Sequence, residues 1–179
     1  MDNHDDQSEQ PVRQIGTGMI IAGWLIAFAL VAYVFDGLVS RQVNPNDERS
    51  VSSQRGNSEL VLRANRQNQY LATGLLNGIS ADFLLDTGAT QVAVSTALAQ
   101  RAGLQLGRAV AVETAGGITT AYTTVVPRID LGPLVFHDID AVVIDELGGY
   151  VLLGMNALAD LTFTQRDDQL FLQTPGRQI

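Results

Sequence analysis

The stretch Phe83-Leu84-Leu85-Asp86-Thr87-Gly88-Ala89-Thr90 runs three large apolar residues straight into a carboxylate and turns away at once. An apolar run without a polar interruption reads as a strand buried on both faces. Asp86 then ends a core strand, where a carboxylate is costly unless it is paired or hydrogen-bonded. Thr87 offers a hydroxyl to neighbouring backbone, and Gly88 permits a tight turn with close approach by other groups. The same three residues also serve as an ordinary turn between two strands, so this stretch alone leaves both readings open.

The surrounding pattern is one of short strands and turns. Runs 69–76 and 79–85 flank Asn77-Gly78, a strong hairpin signal because both residues accept positive φ. Further strands are expected at 60–62, 91–94, 109–114, 119–126, 128–131, 134–144 and 150–153, with a closing pair at Phe163 and 170–172. Ser95 is placed to cap a short helix over 96–102 that stops at Gly103, and a second short helix is expected at 155–159. Many short strands at this spacing indicate an all-β, barrel-like domain.

A second apolar run meets a glycine in Tyr150-Val151-Leu152-Leu153-Gly154-Met155-Asn156-Ala157-Leu158. Apolar-apolar-Asp-Thr-Gly-Ala, then the glycine-rich hairpin Ala115-Gly116-Gly117-Ile118, then apolar-apolar-Gly before a helix resembles a retropepsin-like aspartic protease. The closest look-alikes are the bacterial, membrane-anchored members of that family, and the resemblance covers residues 58–173. It implies a retropepsin-like acid-protease barrel half, closed antiparallel β with one or two short helices, and it implies Asp86 as the catalytic residue. Thr87, Gly88, Ala89 and Gly154 would support the active-site loop, with Thr87 bonding across a two-fold axis. Ala115, Gly116, Gly117 and Ile118 would form a substrate-covering flap; as bare geometry they make a Gly-Gly hairpin. The flap tip is not the retroviral sequence. Met155 stands where retroviral enzymes usually carry arginine, so their arginine-based dimer contacts do not transfer.

Composition narrows the chemistry. The chain has no cysteine and no lysine, and two histidines, His4 and His137. Thiolate zinc sites, cysteine nucleophiles and Schiff-base chemistry are excluded, and a histidine metal cluster has too few members. No metal or cofactor is expected. A formal net charge of −8 argues against a nucleic-acid partner, which requires clustered cations.

The N-terminal third is organised differently. Residues 1–14 are polar and acidic and read as a disordered tail. Residues 14–35 carry no formal charge. A helix rising about 1.5 Å per residue would cross a hydrocarbon core of roughly 30 Å over such a length, so 15–37 is expected to be a single transmembrane helix contacting the lipid bilayer. A cleaved signal peptide would want a basic start and a shorter apolar core. Residues 38–58 read as a flexible linker without structure, 59–174 as the protease domain and 175–179 as a tail. Arg13 precedes the span and Arg41, Arg49 and Arg55 follow it, a bias that places the domain in the cytoplasm. The resemblance implies the reverse: a bacterial inner-membrane protein with a periplasmic domain.

One Asp-Thr-Gly per chain implies a homodimer, with Asp86 facing its symmetry mate across one water and hydrolysing a protein or peptide substrate. Two other readings fit the residues: a non-catalytic membrane-tethered binding or scaffold domain on the same fold, and an unrelated all-β anchored protein in which Asp86 merely ends a strand.

Overall fold

The computed structural model describes residues 10–46, 59–145 and 147–174; within the first helix, side chains are described for 18–34 and Val43. The chain divides into two units, Met1–Arg41 and Gln42–Ile179. The expected tails at 1–14 (up to residue 9) and 175–179 lie outside the described residues.

The first unit contains most of α1 (Gln10–Val43), whose last two residues fall in the second. Its described side chains, 18–34, are uncharged and exposed on every side, with Trp24 and Tyr33 among them. The expectation of a transmembrane helix over 15–37 is not met among the described residues, where no helix is long and apolar enough to cross a membrane.

The second unit is the β domain. Its strands are β1 (Glu59–Arg63), β2 (Leu71–Leu76), β3 (Ile79–Leu85), β4 (Val92–Ser95), β5 (Ala109–Thr114), β6 (Gly117–Leu131), β7 (Leu134–Ile144), β8 (Val151–Leu153), β9 (Thr162–Arg166) and β10 (Gln169–Gln173). Two short helices, α2 (Thr96–Arg101) and α3 (Met155–Leu158), follow β4 and β8. The large sheet runs β2-β3-β8-β4-β7-β6-β5, and β2 also meets β6 through Leu75↔Asp130 and Leu76↔Ile129. That last pairing closes six strands into a barrel and leaves β5 as an extension. A small sheet, β1-β10-β9, lies beside it.

Local chemistry explains the turns. Asn77 (φ 47°) and Gly78 (φ 84°) make the expected two-residue hairpin. Ser95 caps α2 by accepting a hydrogen bond from the Leu98 amide, and Gly103 (φ 68°) ends it.

Two expectations are corrected. The barrel is not wholly antiparallel: β3 pairs with β8 and β4 with β7 in parallel. The apolar runs Phe83–Leu85 and Val151–Leu153 suit parallel strands, which are buried on both faces. Strands expected at 119–126 and 128–131 are one continuous β6. Pro127 does not break it, because it sits where β6 has left β5 after Tyr122 and not yet met β2 at Ile129. A proline without an N–H is tolerated at such an uncovered edge.

The main core gathers Leu60, Leu62, Phe83, Ile129, Leu153 and Leu172, all fully buried. A smaller cluster, Ala93, Ala121, Val142 and Ile144, packs with Val110, Val112 and Leu152 under the β5–β6 hairpin. Beside the closing strand pair, Asp130 is 7% exposed and its carboxylate takes two bonds from Arg128, at 2.5 and 2.7 Å. This partner holds the Arg128 guanidinium protonated, above its ordinary range, through the hydrogen bond first and the charge second.

Residues 43–46, within the stretch expected to be an unstructured linker, lie on the domain. Asn46 is 5% exposed and bonds the main chain of Arg63 and Leu71. Residues 47–58 lie outside the described residues.

Barrel closure depends on Gly74. A Cβ there would collide with the main-chain oxygen of Asp130 and stand 2.9 Å from Leu131 Cδ1. The Gly74→Ala variant is expected to lose about 3 kcal/mol by overpacking against backbone, read as a lower urea midpoint at unchanged slope. A wild-type midpoint would show that β2 and β6 separate without cost.

Candidate active site

Asp86 leaves the barrel at the end of β3, beside the end of β8. Leu85 pairs with Leu153, and the Asp86 amide donates to the Leu153 carbonyl at 3.2 Å. The carboxylate is half-buried and accepts a hydrogen bond from the Gly88 amide at 2.9 Å, while the Ala89 amide donates back to the Asp86 carbonyl. Asp86 is therefore held by its own turn, with Thr87 and Gly88 exposed on the outside.

Gly154 holds that turn from beneath. A Cβ at Gly154 would stand 2.6 Å from the Gln91 carbonyl carbon and 2.9 Å from the Ala89 oxygen. Only a bare α-carbon lets the chain after β8 pass under the loop. The next two amides complete the contact: Met155 donates to the Ala89 carbonyl at 2.8 Å and Asn156 to the Thr90 carbonyl at 3.1 Å. Met155, next to Gly154, thus joins the start of α3 to Ala89.

Asn156 is a site residue that the sequence reading passed over. Its Oδ1 accepts from the Val92 amide at 3.0 Å, and its Nδ2 donates to the Asp140 carbonyl at 2.7 Å. It ties the exit of the Asp86 loop to β7. The signal available in the sequence was an amide side chain in the first turn of a helix directly after Gly154, a position where it reaches main chain.

Above Asp86 lies a cleft of about 1160 Å³. Asp86, Gly88 and Ala89 border it on one side, and Ala115, Gly116, Gly117 and Ile118 on the other. Its floor is apolar, built from Ala93, Val142, Ile144 and Leu152 of the smaller cluster. Thr87 and Gly154 do not border it. The β5–β6 hairpin ends at the pair Thr114↔Gly117. The Thr114 hydroxyl, also unnoticed in the sequence, donates to the Gly117 carbonyl at 2.8 Å and accepts from the Gly116 amide at 3.2 Å. Ile118 is 81% exposed, so the tip is knitted by one hydroxyl rather than by packing.

The arrangement offers a half-buried carboxylate in a turn, a cleft of mixed polar and apolar lining and a hairpin across it.

The domain matches the family model described as "gag-polyprotein putative aspartyl protease" over residues 72–160, a span holding the Asp86 loop, the hairpin and Gly154. A curated relative, an uncharacterized protein in the cobV 5′ region of Sinorhizobium sp., is 27% identical over 174 residues, covering 90% of this chain and 73% of that protein. The crystal structure of a retropepsin-like aspartic protease from Rickettsia conorii aligns with a TM-score of 0.54 and 27% identity, over 64% of this chain and 89% of the other. EIAV protease complexed with the inhibitor HBY-793 aligns at 25% identity and a TM-score of 0.44, over 54% and 90%.

Replacing Asn156 by Ala strands the buried Val92 amide and is expected to cost about 1–3 kcal/mol. Thermal unfolding will read this as a lower midpoint, and an unchanged midpoint would show that the loop exit needs no tie.

Proposed function

The β domain of this chain is a retropepsin-like aspartic protease domain, and on that premise we propose that the protein is a membrane-anchored aspartic endopeptidase. The observation that carries the reading is the placement of Asp86 on a cleft facing a glycine-rich hairpin. The chain contains one such aspartate loop, so the site is completed by a second copy about a two-fold axis. Two facing carboxylates cannot both ionise cheaply and share one proton. The ionised member takes a proton from water as the water attacks the peptide carbonyl, and the protonated member polarises that carbonyl and then protonates the leaving amine. Thr87, exposed on the turn, would bond across the axis, and the hairpin bearing Ala115–Ile118 would close over the substrate as a flap.

The uncharged run 14–35 supports an anchor in a lipid bilayer, and the family resemblance is the ground for an inner-membrane chain with a periplasmic domain, against the arginine bias around the run. An anchored chain is expected to stay with membranes through an alkaline carbonate wash. Its release by that wash would remove the anchor from the proposal.

The catalytic reading is tested with the full chain in detergent, wild type beside Asp86→Asn, on a mixed peptide library read by mass spectrometry. Wild type is expected to cleave, most strongly in acid, and the variant to lose at least about 100-fold in rate, as expected when a group acting in the transition state is removed. Specific activity should also rise with protein concentration until the dimer is saturated. Equal cleavage by both proteins, or none by a folded dimer, would overturn the assignment.

A further inference from the structure

The barrel has an opening that its own strands leave unfilled. β2 is covered by β6 only at Leu75 and Leu76, and the edge of Leu71–Thr73 is covered by residues 43–46. The Asn46 carbonyl accepts from the Thr73 amide at 3.2 Å. Asn46 Nδ2 donates to the carbonyls of Arg63 and Leu71, both at 2.8 Å, and its Oδ1 accepts from the Arg63 amide at 2.9 Å. One buried amide thus joins the end of β1 to the start of β2.

Asn44 reaches one strand further. Its Nδ2 donates to Asp82 Oδ1 at 2.8 Å and to Thr73 Oγ1 at 2.9 Å, and the Thr73 hydroxyl donates to the same Asp82 oxygen at 2.5 Å. Its own Oδ1 accepts from the Asn46 amide at 2.9 Å. Thr73 and Asp82 face each other across the β2–β3 hairpin, so this side chain clamps both strands at one rung. β3 then runs from Asp82 into Asp86, with Leu85 held to the Tyr70 carbonyl at 3.0 Å.

We infer that Asn44 and Asn46 are positioning residues for Asp86, and that the catalytic unit takes in this segment. The inference rests on the peptidase reading above for its consequence in rate. Aligning two carboxylates across a dimer axis requires each hairpin to be held within about 0.5 Å, and a side chain fixing the hairpin's twist acts on that alignment. A segment docked on an open strand edge supplies such a hold without entering the cleft.

A donor exchange tests this in the full chain. Asn44→Asp sets two carboxylates against each other; combining it with Asp82→Asn returns one donor and one acceptor to the pair. Asn44→Asp is expected to lower kcat at least tenfold with KM within twofold, at a temperature where the variant is fully folded. The double variant is expected to recover to within threefold of wild type. Amide exchange gives a reading independent of cleavage: Leu85 and Asp86 should exchange at least tenfold faster in Asn44→Asp, β10 amides should keep their rates, and the double variant should restore both. Equal acceleration everywhere, or wild-type exchange and kcat in the single variant, or no recovery in the double, would overturn the inference. A wild-type chain that cleaves nothing overturns the peptidase reading instead, and the exchange rates then decide the clamp.

Discussion

The parallel pairing of β3 with β8 is the constraint around which the domain is arranged. β8 is three residues long and lies between β3 and β4, parallel to one and antiparallel to the other. Strand ends that finish side by side bring Asp86 over Gly154, and the two loops that follow interlock through main-chain bonds at 2.8 and 3.1 Å. Little of this uses specific side chains. It needs apolar residues on both faces, supplied by Phe83–Leu85 and Val151–Leu153, and an absent Cβ where the loops cross.

The rest of the barrel divides into a rigid part and a yielding one. Fully buried leucines and Phe83 fill the main core, where deleting methylenes is costly. The β5–β6 hairpin packs on smaller residues and ends in Thr114's two hydrogen bonds. Low packing of this kind opens locally well below the cost of global unfolding. The cleft lies on this yielding side, between the hairpin and the smaller cluster.

Much of this was legible in the sequence, for physical reasons that differ by element. Asn77-Gly78 announced its hairpin because few residue pairs accept two positive φ angles, and Ser95 announced its helix by capping chemistry. Asp86 and Gly154 stood out because a carboxylate or a glycine at the end of an apolar run is unusual. Strand direction was not legible: Val151–Leu153 reads the same whether its neighbour is parallel or antiparallel. Pro127 looked like an interruption because its tolerance depends on β5 ending and β2 beginning elsewhere in space. Asn44 and Asn46 were hidden by composition, since polar residues in a polar stretch read as solvated until their partners at Arg63, Leu71 and Asp82 are seen. Thr114 and Asn156 were passed over because their partners, Gly116 and Gly117 for one and Val92 and Asp140 for the other, are fixed only by the fold.

The insertion of β8 has a consequence for the order in which the molecule can be made. Asp86 emerges with β3, but the residues that underpin its loop, Gly154 to Asn156, follow only after β4, β5, β6 and β7. A nascent chain therefore carries the carboxylate through most of the domain's synthesis without the floor that sets it, because pairings between distant segments form late. The same wiring that fixes Asp86 in the finished barrel leaves its loop unset until the last part of the domain is made.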